Sequence, residues 1–501
     1  MRKKIYFTSA FFAVFLVFSS FINNGFSWLD HGDIERGRVV LPLSSLSSAF
    51  ISRFGQTGFF RPIVTTVNSI DFDLYGLWAP GFHLTNVLLH LAATFMAALL
   101  LTRLFTFSFK EKLMVFLIAG FHPLAFLPVG AISYRQELLL ALFTYLTLYF
   151  HLRKKLFPAY LCFLAALFSK ETALFLLPVL ILLFDRLFLS EIVLLSIYGL
   201  LRFAAVPEIW HISASALPFP LALGTRLAAV SRLLFQLLLP LKPALSDATR
   251  VVSMTDFKII PAATLFIIPV IFFRRLKPDF KKAFILLAVL TLPALNIIPV
   301  PRFSSPHYIY LALPAAASLV VIFRKWCLKR YKSAIIGNVL VVIWLVIAGF
   351  STFRAGFRFK NDLTLFEPEV AADDRFLEGH QYLGDYYFKI NEFEKAQLHY
   401  ESALEKDPSV IAFVDDSSVM NNLAGVYLAQ NKPDEADEML LELSLKPDWS
   451  DNQTLLYNRA LIADKKGDYK KVITLLERQD ISWNRPESLL LLSKARQMLT
   501  R

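Results

Sequence analysis

Residues 383–408 read LGDYYFKINEFEKAQLHYESALEKDP, and the spacing of Leu383, Gly384, Tyr387, Ala396, Tyr400, Ala403 and Pro408 predicts two helices folded against each other. Small residues let the helices approach, aromatic rings fill the gaps between them, and the proline stops the second helix. The pattern returns as Leu423, Ala424, Tyr427, Ala436 and Leu440, with Pro447 near its end. A weaker copy contains Ala460, Gly467, Tyr469, Val472 and Leu476, and 486–498 reads as a capping helix. One hairpin with an apolar face has nothing to bury it against, so repeated hairpins stack into a solenoid.

Hairpins at this spacing are tetratricopeptide repeats, and residues 377–501 are expected to hold about three of them. Such arrays serve as binding surfaces. Upstream of the repeats the solvent changes. The chain is 56% hydrophobic and 18% charged, with 48 Phe, against about 45–50% and 25% in soluble domains. This excludes a water-soluble enzyme and a disordered chain. The net charge of +12 is split, with 16 Lys/Arg against 26 Asp/Glu in residues 361–501 and 36 against 14 in residues 1–360. A basic apolar part and an acidic polar tail point to membrane and water, and not to nucleic acid. Cys162 lies in an apolar run and Cys327 in a basic loop, with no CxxC, so neither a disulfide framework nor a zinc site is supported.

A membrane-crossing helix takes about 20 mostly apolar residues. By that measure 5–22, 83–101, 113–131, 135–152, 157–168, 172–184, 187–205, 259–273, 284–299, 308–323 and 333–350 are expected spans. The segment 222–243 is apolar but carries Arg226, Arg232 and Lys242, and reads as interfacial or re-entrant. The expected fold is therefore all-α: a polytopic domain over 1–355, a linker over 356–376, and the repeats over 377–501. Basic loops Arg2–Lys4, Arg103–Lys112, Arg153–Lys155, Arg274–Lys282 and Arg324–Lys332 belong in the cytoplasm by the positive-inside rule. The long loop 23–81 and the repeats then face outward. The short repeat array points to a bacterial inner membrane with the N-terminus cytoplasmic and the repeats periplasmic.

Ionisable groups near the membrane are functional suspects. Asp30, in Phe26-Ser27-Trp28-Leu29-Asp30-His31-Gly32-Asp33-Ile34, follows the first span and reads either as a general base or as a solvated loop carboxylate. Arg135 with Glu137, Lys170 with Glu171, Arg302 with His307, and Arg232 sit at helix ends. There they grip a phosphate or snorkel to water. His83 and His90 share a helix face, a spacing better explained by packing hydrogen bonds than by a metal. No P-loop, dinucleotide-binding glycine pattern or GxSxG is present, so ATP-driven transport, dinucleotide chemistry and lipase-type hydrolysis lack support.

Four segments carry a family resemblance. They are Phe60-Arg61-Pro62 with Gly76-Leu77-Trp78-Ala79-Pro80-Gly81-Phe82-His83-Leu84-Thr85-Asn86-Val87-Leu88-Leu89-His90; Phe121-His122-Pro123 through Ser133-Tyr134-Arg135-Gln136-Glu137-Leu138-Leu139; Ser169-Lys170-Glu171-Thr172; and Arg232-Leu233-Leu234 to Leu239-Pro240-Leu241. They resemble the transmembrane-and-tetratricopeptide O-mannosyltransferases of the GT-C superfamily, whose order of membrane domain then repeats is the same. Two stretches depart from the family. Leu29 stands where members carry the first acid of an Asp-Asp pair, leaving Asp30 with Asp33 displaced. Pro306-His307-Tyr308 replaces an ERY-like run.

The resemblance implies a membrane glycosyltransferase taking a mannose-like sugar from a polyprenyl- or dolichyl-phosphate donor to an acceptor hydroxyl, on protein Ser or Thr, without a metal or other cofactor. It implies Asp30 as catalytic base, with Arg135, Lys170, Glu171, Arg232, Arg302 and His307 around the donor phosphate. Asp33, Arg61 and His83 are further loop candidates. The repeats would dock an acceptor polypeptide. Competing readings are a membrane-anchored repeat scaffold and a transferase acting on a non-protein glycan or lipid.

Overall fold

The computed structural model describes residues 2–500 except 56, 185–188, 208–218, 240–242, 246–250, 252, 254, 257, 260–263, 265–270, 296–304, 332–334, 406–413, 448 and 480–485. Among the described residues there are helices and turns and no strand. Two units separate, Met1–Leu365 and Phe366–Arg501. The stretch 356–376, expected as a linker, is helical over Phe357–Lys360 and Asp362–Val370.

The first unit holds α1 (Arg2–Phe18), α2 (Pro62–Tyr75), α3 (Ala79–Leu104), α4 (Phe109–Gly120), α5 (Phe126–Gly130), α6 (Arg135–Leu152), α7 (Leu156–Ser169), α8 (Leu176–Phe184), α9 (Leu189–Ala205), α10 (Phe219–Leu238), α11 (Pro278–Leu290), α12 (Leu313–Tyr331) and α13 (Ile335–Gly356). α14 (Asp362–Val370) follows. α3 packs against α4 and α6, α6 against α7, and α12 against α4. Among the described residues four helical stretches are long and apolar enough to cross a membrane: Arg2–Phe21, Ala79–Leu104, Pro306–Tyr331 and Gly337–Lys360. A fifth arises if Phe109–Gly120 and Pro123–Gly130, bent by 54°, are one span.

This corrects the expected eleven. Hydropathy windows do not see breaks. His122-Pro123 bends 113–131, and the expected spans 157–168 and 172–184 fall in Leu156–Ser169 and Glu171–Phe184, apolar helices too short to cross. At 1.5 Å per residue, the 14 residues of α7 reach about 21 Å, short of the roughly 30 Å hydrocarbon core. The segment 259–273 lies largely outside the described residues.

Burial separates inner from outer spans. The window in Pro306–Tyr331 is 78% buried, whereas those in Arg2–Phe21 and Gly337–Lys360 are 28% buried. α13 leaves Val339, Leu340, Val342, Val346 and Phe350 exposed, a face that suits acyl chains. α2 is inverted relative to a soluble helix: Thr65, Asn68, Ser69 and Asp71 are buried while Ile70 and Leu74 are exposed. Its polar face serves the site described below.

The second unit contains α15 (Leu377–Lys389), α16 (Phe393–Ala403), α17 (Asp416–Ala429), α18 (Pro433–Ser444), α19 (Gln453–Lys465), α20 (Tyr469–Glu477) and α21 (Pro486–Thr500). These are three hairpins and a closing helix, as the spacing predicts; Pro408 lies outside the described residues. Ala396, Tyr400, Ala403 and Leu423 share one core cluster, and Ala424, Ala436 and Leu440 the next. Polar bonds join successive hairpins: Asn422 donates to Asp385 at 2.9 Å and Asn458 to Asn421 at 3.1 Å.

Gly384 sits so close to Tyr400 that a Cβ there would lie 2.6 Å from the ring. Gly384→Ala is therefore expected to destabilise the first hairpin by about 1–3 kcal/mol, the usual cost of overpacking. Thermal unfolding of the full chain reads this, and an unchanged transition would show that the ring moves aside freely.

Candidate active site

The loop after α1 is fixed before it presents its carboxylate. Asn24 donates to the Gly356 carbonyl at 2.8 Å, and the Trp28 amide donates to Asp362 at 2.6 Å. Trp28 is buried with φ of +60°, a left-handed conformation costly for a bulky side chain. Such strain persists only where surroundings impose it, and it clusters at functional positions. Two residues on, Asp30 is fully buried. One oxygen accepts from the Ser133 amide at 2.8 Å and its hydroxyl at 2.6 Å, the other from the Ile132 amide at 3.3 Å. Burial pushes Asp30 up to about 6, with the Ser133 bonds working against it.

Ser133 and Tyr134 lead directly into α6, whose first turn carries Arg135 and Glu137. The two were expected to act together and do not. Arg135, fully buried, meets Asp71 at 2.7 Å and donates to Asn86 at 2.7 Å, Asn68 at 2.9 Å and the Phe82 carbonyl at 3.0 Å. Its guanidinium is fully buried and held by side chains and backbone of α2 and α3, so it acts as a strut.

Glu137 instead accepts from Lys170 and lies 3.8 Å from His307 Nε2. Lys170 and Glu171 are neighbours in the chain but do not pair as expected. Lys170 has extended backbone (φ −160°, ψ 137°), which turns successive side chains apart. Glu171 takes Arg61 bidentately, at 2.8 and 3.2 Å. Burial pulls the Arg61 guanidinium down, but Glu171 outweighs it and holds Arg61 above its ordinary range. His307 Nδ1 bonds Ser305 at 2.8 Å, and its ring packs on Tyr134 at 4.6 Å. Tyr134 in turn packs on Trp28 at 5.4 Å.

Arg61, Lys170, Glu171 and His307 thus converge with Glu137 from segments far apart in sequence. Asp30 is tied to the same end of α6. That end is opposite the basic residues Arg153–Lys155. Other expected site residues fall elsewhere. Asp33 pairs with Arg38, His83 donates to the Gly25 carbonyl at 3.0 Å, and Arg232 rides half-buried on α10. Arg302 lies outside the described residues. His90 bonds Tyr310 at 2.8 Å and the Gly120 carbonyl at 3.1 Å, the packing role its spacing suggested.

Three participants escaped the sequence reading. Asn68 and Asp71 stand three residues apart on one face of α2, a polar stripe that signals a buried cation. Asp362, far along the chain, holds Trp28 and bonds His31 at 3.1 Å, and that bond raises His31 to about 9.

No family model and no curated protein matches the chain. Among solved structures it is similar to yeast Tom70 at 15% identity, with a TM-score of 0.24, covering 81% of this chain and 96% of that chain; a superposition this loose carries no argument about fold or function.

Proposed function

We propose that the chain is a membrane glycosyltransferase of GT-C-like architecture. It moves a sugar, mannose-like by resemblance, from a polyprenyl- or dolichyl-phosphate to an acceptor hydroxyl, on protein Ser or Thr, at the outer face of the membrane. The observation that carries the reading is a buried carboxylate held at about 6, Asp30, tied to the same helix start as a buried cluster of Lys170, Arg61 and His307.

Asp30 takes the acceptor proton as the acceptor oxygen bonds to the anomeric carbon. The carbon–oxygen bond to the lipid phosphate breaks with its electron pair, and the lipid phosphate leaves. Lys170 and His307 stabilise the charge that builds on it. Arg61 stays with Glu171 and positions Lys170. The repeats take the acceptor polypeptide.

Polyprenyl phosphate binding tests the phosphate site. Losing one charge-assisted bond costs about 1.5–3 kcal/mol, so Lys170→Gln should weaken binding roughly 10- to 150-fold in native mass spectrometry, with Lys170→Arg retaining part. Equal binding by wild type and Lys170→Gln would remove the cluster from donor recognition.

A second reading, a membrane-anchored repeat scaffold, is favoured by one feature. Glu137 and Glu171 already neutralise Lys170 and Arg61, so the cluster is complete without a ligand.

A further inference from the structure

The end of the first unit remote from Asp30 carries a crevice between α8 and α11. Its volume is about 270 Å³, and Val179 and Leu183 line one wall with Leu286 and Val289 on the other. Lys281 and Lys282 stand at one end of it.

The direction of both helices fixes which end this is. α8 follows directly from Glu171–Phe175, beside the Lys170 cluster, and runs away from it. α11 begins at Pro278 and runs back, since Leu292–Leu295 beyond it touches Glu171–Phe175. The lysines are therefore at the end of this helix pair away from the Lys170 cluster, on the side that the positive-inside rule puts in the cytoplasm. The run Arg274–Lys282 holds five cations against one acid, Asp279.

We propose that this crevice binds one anionic phospholipid of the cytoplasmic leaflet. An acyl chain lies between α8 and α11, and the headgroup phosphate is held by Lys281 and Lys282. The apolar walls suit a hydrocarbon segment and no soluble anion. The lysines supply the charge that distinguishes an anionic headgroup from a zwitterionic one. The proposal rests on reading these helices as membrane helices and is independent of glycosyl transfer.

Native mass spectrometry of the full chain, with phosphatidylglycerol or phosphatidylcholine added, tests it. Wild type should retain phosphatidylglycerol preferentially. Lys281→Gln/Lys282→Gln should reduce that preference on the order of 25-fold, at about fivefold per lysine. Leu183→Trp, which fills the crevice and leaves the charges, should reduce retention of phosphatidylglycerol as well. Unchanged unfolding of both variants in phosphatidylcholine establishes that they fold.

Three results would overturn the proposal: equal retention of the two lipids by wild type, full retention by the Trp variant, or competition by glycerol phosphate in water. The second would reduce the effect to loop charge alone, and the third would make the ligand a soluble phosphate.

Discussion

Asp30→Asn is expected to lower sugar transfer by about 10²–10⁴-fold, the range for loss of a general base, while the protein stays folded. The Asn carbonyl oxygen can still accept the Ser133 amide and hydroxyl bonds that Asp30 accepts at 2.8 and 2.6 Å. This separates the two roles open to Asp30. If it only caps the start of the Ile132–Leu152 helical run, Asn serves nearly as well and activity survives.

The pH dependence adds a second readout. A base must be ionised, so the wild-type rate should rise with pH and level off above about 6, where burial places Asp30. The stability sign runs opposite to that of a salt-bridged acid. The folded protein holds the Asp30 proton more tightly than the unfolded chain, so stability falls as pH rises from about 4 to about 6 and stays lower above. The burden above pH 6 is up to about 3 kcal/mol, from roughly two pH units at 1.36 kcal/mol each. Asp30→Asn should therefore melt no lower than wild type at pH 7.5, and its advantage should vanish toward pH 4. A thermal series in detergent, paired with the rate profile, checks both.

Arg135→Ala is expected to cost stability and not donor affinity. Removing one partner of a buried ion pair costs about 3–5 kcal/mol, because the other charge is left without compensation. Here the abandoned group is Asp71, together with the side-chain oxygens of Asn68 and Asn86. Arg135→Lys should recover little, since a single ammonium cannot reproduce a planar fork that serves four acceptors. Arg135→Met combined with Asp71→Leu should recover more than either change alone, because neither charge is then stranded. Thermal unfolding and the yield of folded protein measure these effects. A variant that folds normally but loses donor binding would return Arg135 to the phosphate site.

The repeat unit was legible because its constraint is local. Gly384 and Tyr400 must meet within one hairpin, and the sixteen-residue spacing states this directly. The first unit was legible as all-helical with several helices long and apolar enough to cross a membrane, but not as a count of spans. The break at His122-Pro123 falls inside a window that averages as apolar, and 157–168 and 172–184 lie in helices too short to cross. The candidate site was half legible. Lys170, Glu171 and His307 do gather, yet their partners are exchanged. Chain neighbours Lys170 and Glu171 point apart because the backbone between them is extended, and Arg135 looks past Glu137 to Asp71 on α2. Partner choice depends on which segments pack, and adjacency in sequence does not encode that.

The most direct test is transfer itself. Purified full-length protein in liposomes is supplied with polyprenyl-phosphate hexoses labelled in the sugar, mannose among them, and a Ser/Thr-rich polypeptide. Label should enter the polypeptide with wild type and fall to the protein-free level with Asp30→Asn. No transfer by folded wild type from any of these donors, or equal transfer by Asp30→Asn, would contradict the account.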